Sequence, residues 1–182
     1  MNTKIRNICV YCGSSGEVSP IYRDTAMRLG SMIARRGCSL IYGGAASGTM
    51  GIIADAVLRE GGKVTGIIPD KLPGELVHPG LTELHVVDSM HTRKRMMIEK
   101  ADALIAMPGG FGTLDEIMEA FAWRQLNLHM LPCVFLNTAG FYNHLLRFLE
   151  HCCNEGFLRS PHYGLIRVAD TPEELFELLE NS

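Results

Sequence analysis

Ala103-Leu104-Ile105-Ala106-Met107-Pro108-Gly109-Gly110-Phe111-Gly112-Thr113 reads as a short apolar strand running straight into a glycine corner. No polar residue interrupts its first five positions, so the strand is buried on both faces, as in a parallel sheet with helices on either side. A half-exposed strand would alternate. Outward from this stretch, short β-branched runs near Ile5–Cys12, Ser39–Tyr42, Lys63–Ile68 and Cys133–Leu136 alternate with helical patterns. The helices are expected near Ser19–Arg36, Thr49–Glu60, Ser89–Lys100, Thr113–Leu126 and Phe141–Asn154. The expected fold class is α/β, a Rossmann-like, doubly wound parallel sheet with helices on both faces. A last helix opens at Thr171-Pro172-Glu173-Glu174, with threonine as cap, proline at the first helical position and glutamate three residues after the cap. Pro69–Leu84 lacks periodicity and reads as a long loop over one sheet edge, with His78-Pro79-Gly80 an ordinary turn inside it.

At 182 residues the chain suits one domain, 1–182, with a single core, and 47% hydrophobic and 20% charged residues fit a globular protein. A net charge of −3 provides no general attraction to nucleic acid or anionic membrane, so neither is an expected partner and any phosphate must be captured locally. The polar start, Met1 to Arg6, lacks the features of a secretory signal, and no apolar run approaches the ~20 residues of a membrane helix. The six cysteines lie mostly in or beside strands and read as reduced core thiols, which points to the cytoplasm. Cys9-Val10-Tyr11-Cys12 has the spacing of a redox pair, but in a strand the two thiols face opposite sides. The seven histidines form no paired metal spacing, so no metal is expected.

In an open parallel sheet, ligands bind where strand ends meet helix starts, because unpaired backbone N–H groups and the helix dipole face outward there. Three corners of this kind can be read: Cys12-Gly13-Ser14-Ser15-Gly16, Tyr42-Gly43-Gly44-Ala45-Ala46-Ser47-Gly48-Thr49-Met50-Gly51, and Pro108-Gly109-Gly110-Phe111-Gly112-Thr113. None has Walker or dinucleotide-fingerprint spacing, and each could hold glycines only for close packing. Three at one sheet edge favour a phosphate or ribose site, and hence a nucleotide-binding domain.

Ser89-Met90-His91-Thr92-Arg93-Lys94-Arg95 begins a helix yet places three cations in its first two turns. Each opposes the macrodipole by about 0.3–1 kcal/mol, a penalty that an anionic ligand would offset, unless the run is simply a solvated face. Arg93 and Arg95 point to different faces, so at most two of the three cations share one site. Glu116 has two readings. Thr113-Leu114-Asp115-Glu116 satisfies a capping box, as Thr171-Pro172-Glu173-Glu174 does with no chemistry in view. Against capping stands location, since a carboxylate beside a phosphate cradle harms anion binding unless it is needed for something else.

Pro108-Gly109-Gly110-Phe111-Gly112-Thr113-Leu114-Asp115-Glu116 resembles the PGGxGTxxE signature of the "lonely guy" (LOG) family of cytokinin riboside 5′-monophosphate phosphoribohydrolases. Met90-His91-Thr92-Arg93-Lys94 matches the family's MHxRK element, and the similarity runs from Val10-Tyr11-Cys12-Gly13-Ser14-Ser15 to Glu155-Gly156-Phe157. The resemblance implies a homodimer and hydrolysis of AMP or its N6-substituted derivatives to free base and ribose 5-phosphate, without a cofactor. It assigns Arg93 and Glu116 as the catalytic pair. It places substrate contacts at Glu75, Met90, Lys94, Gly109 and the Gly110–Glu116 loop, with Gly110, Phe111, Gly112 and Thr113 foremost in that loop and Ser14, Gly43 and Gly44 as neighbours.

Departures from the family pattern are Ala45 for the third glycine of Tyr-Gly-Gly-Gly, Ala122 before Trp123, Asn127 after Gln125-Leu126, and Leu131 before Pro132. Trp123 and Phe121 fit either a dimer face or the core. A lysine decarboxylase would need a lysine in a Schiff-base setting, and none is evident. A non-catalytic nucleotide or molybdenum-cofactor carrier of similar fold would need the glycine corners but not Glu116. The presence of Arg93 together with Glu116 favours the enzyme.

Overall fold

The computed structural model describes residues 5–71 and 76–181. Among them, seven strands form one parallel sheet in the order β4-β3-β2-β1-β5-β6-β7. The strands are β1 Asn7–Tyr11, β2 Ser39–Tyr42, β3 Lys63–Pro69, β4 Glu83–Val87, β5 Ala103–Ala106, β6 Cys133–Leu136 and β7 Arg167–Ala169. The helices are α1 Pro20–Arg35, α2 Gly48–Arg59, α3 Met90–Glu99, α4 Phe111–Gln125, α5 Asn143–Asn154, α6 Ser160–Tyr163 and α7 Pro172–Glu180. The doubly wound class is borne out. Every residue of β5 is buried, as its unbroken apolar run requires.

The period of two along β1 divides the core. Ile8, Val10 and Cys12 face the layer of α1, α2 and α7, while Cys9 and Tyr11 face the layer of α3, α4 and α5. Cys9 and Cys12 are therefore on opposite sides of the sheet, and both are buried free thiols. On the second face Phe121 stacks on Phe135 at 5.5 Å between ring centroids, so Phe121 belongs to the core margin. Among the described residues no helix is long and apolar enough to cross a membrane.

Three short elements were not expected: the edge strands β4 and β7 and the single-turn helix α6. The loop expected over Pro69–Leu84 is accordingly bounded by β3 and β4. His78 closes a turn in it, accepting from the Gly80 N–H at Nδ1 (3.1 Å) while Nε2 lies 3.2 Å from Asp55. The α4 boundary needs correcting too. The helix starts at Phe111 rather than Thr113, because Gly110 takes the N-cap position and Thr113 falls inside the first turn.

At the other end of α4, Asn127 adopts φ 58°, and the N–H groups of Asn127 and Leu128 donate to the carbonyls of Arg124 and Trp123, both at 3.0 Å. This is a Schellman closure, in which the left-handed residue is usually glycine and sometimes asparagine. The departure at Asn127 is thus a conservative one, since asparagine tolerates this conformation better than other side chains. Asn127→Ala is expected to lower stability by about 1 kcal/mol, a fall of roughly 2–4 °C in melting temperature. An unchanged melting curve would contradict the account.

Candidate active site

The three glycine corners follow β1, β2 and β5, which lie side by side in the sheet. The chain fills one side of the sheet from β1 to β4 and then crosses to begin the other at β5, so β1 and β5 flank the topological switch point, where crevices form. The first two corners are locked together. Met50 N–H donates to the Gly13 carbonyl (3.2 Å), the Thr49 hydroxyl bridges Gly13 N–H (3.2 Å) and its carbonyl (3.1 Å), and Ser47 Oγ donates to the Ser14 carbonyl (2.9 Å). The third corner is steadied by the Tyr142 hydroxyl, which donates to the Met107 carbonyl. Between the corners opens a cleft of about 390 Å³.

Arg93 and Glu116 meet in this cleft. Ser89 caps α3 by accepting from Thr92 N–H at 3.2 Å, which sets Arg93 one turn into the helix. The Arg93 guanidinium donates from Nε to the Ile67 carbonyl (2.9 Å) and from Nη1 to Glu116 Oε1 (2.6 Å). Both side chains are only 9% exposed, so their charges face each other with little water between them. Burial raises the Glu116 carboxyl above the ordinary carboxylate range, and the adjacent Arg93 pulls it back only in part. Glu116 does not cap α4: no side chain does, and its own is committed to Arg93. Thr171, by contrast, does cap α7, accepting from Glu174 N–H at 3.3 Å.

The cations at the start of α3 are balanced by carboxylates of the protein itself, an outcome beyond the two readings of a bound anion and a solvated face. Lys94 pairs with Asp115 at 3.0 Å and Glu119 at 2.8 Å, so its ammonium ties α3 to α4. Burial works against that charge, but the bonds to Glu119 and Asp115 outweigh it and hold its pKa above the usual lysine value. Arg95 points away, largely exposed, 3.7 Å from Glu99.

Of the other expected residues, Ser14, Gly43, Met90, Gly112 and Thr113 line the cleft with Arg93 and Glu116. Gly44 forms the turn behind it at φ 79°. Gly109 packs against Thr113, and Gly110 and Gly112 have open space beside them. Phe111 stands 95% exposed at the first residue of α4. Lys94, Gly109, Gly110 and Phe111 are not among the cleft-lining residues. Glu75 lies outside the described residues. The lining also includes Asp115, from the expected Gly110–Glu116 loop, together with Ala45, Met50 and Leu76, which sequence reasoning did not assign to the site. Ala45 and Met50 lie inside the second quoted corner, so adjacency could have flagged them; Leu76 looks like an ordinary apolar residue. Among the described residues no three His, Cys, Asp or Glu side chains group to hold a metal ion.

Residues 50–179 match the family described as "Possible lysine decarboxylase". The chain is 42% identical to the "Probable cytokinin riboside 5′-monophosphate phosphoribohydrolase" of Oryza sativa subsp. japonica, over 99% of this chain and 74% of that one. It is 40% identical to a cytokinin riboside 5′-monophosphate phosphoribohydrolase of Arabidopsis thaliana, over 100% of this chain and 85% of the relative. Similar solved structures include the molybdenum cofactor binding protein of Rippkaea orientalis, with a TM-score of 0.74 and 24% identity over 98% of this chain and 97% of that one. The molybdenum cofactor carrier protein of Chlamydomonas reinhardtii gives a TM-score of 0.75 and 20% identity, over 98% of each chain. At such identities these two establish a shared fold and nothing more. The match along essentially the whole chain to curated relatives at 40% identity and more is of a different order: this chain belongs to the LOG family of cytokinin riboside 5′-monophosphate phosphoribohydrolases.

Proposed function

We propose that the chain hydrolyses the N-glycosidic bond of AMP and of N6-substituted adenosine 5′-monophosphates, including cytokinin riboside monophosphates, to free base and ribose 5-phosphate. The observation that carries this reading is the buried Arg93–Glu116 contact at 2.6 Å inside the cleft. Cleavage leaves the bonding electron pair on the base and positive charge on the ribose, which an ionised carboxylate stabilises. Water then bonds to C1′ and gives up a proton to Glu116, whose pKa burial raises; passing that proton on to the departed base yields the neutral free base and leaves Glu116 ionised again. Arg93 holds that carboxylate in place and presents its remaining donors to ribose or phosphate oxygens. The first turn of α4 carries no side-chain cap and begins beside open space at Gly110 and Gly112, which leaves its orphan N–H groups for the phosphate.

A carrier would use the same corners but has no need of a buried carboxylate facing the ligand. Lysine decarboxylation does not fit either, because a Schiff-base lysine must reach a neutral amine, and Lys94 is held charged by two carboxylates. The working unit we propose is a cytoplasmic homodimer. Support comes from the apolar surface at the end of α4 and around α5, where Leu126, Leu128, Met130, Phe148 and Phe157 are exposed. The buried free thiols suit a reducing compartment.

If the phosphate supplies orientation, adenosine should be a far poorer substrate than AMP. Two charge-assisted hydrogen bonds to the phosphate imply a kcat/KM ratio on the order of 10²-fold or more. Comparable turnover of the two would contradict phosphate recognition.

A further inference from the structure

We propose that Gly43 is a positioning residue for this reaction: its lack of a side chain makes the space in which the Arg93 guanidinium lies against Glu116. The inference rests on the hydrolase reading above and assigns Gly43 a role through Arg93 rather than through the substrate.

The Arg93 guanidinium is fixed on two edges, by the Ile67 carbonyl at Nε and by Glu116 at Nη1. Its third edge, Nη2, lies directly over Gly43, where a Cβ would overlap Nη2 and come within 3.5 Å of the guanidinium carbon and 2.5 Å of Met50 Cε. No acceptor for Nη2 is found among the described residues. Arg93 and Gly43 both line the cleft, and with Nε and Nη1 engaged, Nη2 is the edge left for a substrate oxygen.

Glycine can be required for either backbone or space, and at this corner the two reasons fall on adjacent residues. Gly44 has φ 79°, and a Cβ there would also strike Ile68 at 2.5 Å, so a side chain at 44 is excluded by the fold. Gly43 is not in the left-handed region, and a Cβ at 43 would meet only the far ends of two flexible side chains. An alanine at 43 is therefore compatible with the backbone. Because Nε is tethered to Ile67, the displaced guanidinium can yield only by swinging its Nη edge, and that motion breaks the contact to Glu116. The charged neighbours of Glu116 are Arg93, Asp115 and Lys94. Cys9, Tyr11 and Cys12 approach from β1 but stay neutral, because burial pushes all three up, Cys12 to about 12. Moving Arg93 thus removes the main influence that opposes burial of the Glu116 charge.

The experiment compares wild type, Gly43→Ala, Arg93→Ala and the double variant. Its readouts are kcat and KM against pH for AMP, the Glu116 carboxyl titration by carbon NMR in the ligand-free protein, and thermal melting. Gly43→Ala is expected to melt near the wild-type temperature, to lose on the order of 10²-fold in kcat as misplacement does, and to titrate Glu116 at higher pH than wild type. In the Arg93→Ala background the same substitution should change kcat less than about twofold. A variant with raised KM, unchanged kcat and an unmoved Glu116 titration would overturn the proposal and leave Gly43 a substrate neighbour. An unfolded Gly43→Ala would overturn it as well, by showing that the glycine serves the backbone. Absence of AMP hydrolysis by wild type would defeat the hydrolase reading, while the NMR titration would still decide whether Gly43 positions Arg93 against Glu116.

Discussion

Glu116→Gln is expected to lower kcat for nucleotide hydrolysis on the order of 10³-fold while nucleotide still binds. Glutamine has the same shape and keeps an oxygen for Arg93 Nη1 to bond, so the 2.6 Å contact survives in neutral form. What disappears is the negative charge, and with it both the stabilisation of a ribosyl cation and the acceptor for a water proton. The uncapped first turn of α4, where we propose the phosphate binds, is untouched by this substitution. A large loss in kcat with a small change in Kd is therefore the signature of a group that acts in the transition state. Activity within a factor of a few of wild type would remove Glu116 from the chemistry.

Arg93→Ala is expected to lower kcat/KM by a comparable amount and, unlike Glu116→Gln, to shift what activity remains toward higher pH. Burial already raises Glu116, and Arg93 is the principal influence drawing it back down. On the proposed mechanism Glu116 acts in its ionised form, so in wild type the acid limb of kcat/KM against pH should lie above the usual carboxylate range. Loss of the cation leaves burial unopposed and moves that limb further up. Arg93→Lys should recover only part of the rate, since an ammonium cannot hold the Ile67 carbonyl and Glu116 with the fixed geometry of a guanidinium. An acid limb unmoved in Arg93→Ala would show that some other group sets the pH dependence.

The sheet was legible where strands are buried on both faces and obscure at its edges. Ala103–Ala106 and Cys133–Leu136 are apolar throughout and were read directly. Glu83-Leu84-His85-Val86-Val87 was missed because an outermost strand needs no burial on both faces, and Leu84 and Val86 are in fact exposed. Arg167–Ala169, three residues long at the other edge, carries too little pattern to see. The active-site corners were visible as glycine clusters, but that they adjoin depends on β2, β1 and β5 being neighbours, which is a property of the strand order.

Glu116 shows the limit most clearly. Residues 113–116 and 171–174 follow the same capping pattern, yet only Thr171 caps a helix. The difference arises from Gly110, which lets α4 begin one turn earlier and frees the Glu116 carboxylate to meet Arg93 across 23 residues of sequence. Local spacing holds no record of that meeting. The positive run at 93–95 left a bound ligand and a solvated face as its two readings because the partners of Arg93 and Lys94, namely Glu116, Asp115 and Glu119, come from another helix.

The most direct test is to incubate the purified protein with N6-isopentenyl-AMP and with AMP, and to quantify free base and ribose 5-phosphate over time. Equal molar release of the two products, from at least one of the nucleotides and absent with Glu116→Gln, is the result predicted here. Recovery of both nucleotides intact, though bound, would contradict the hydrolase and leave a carrier in its place.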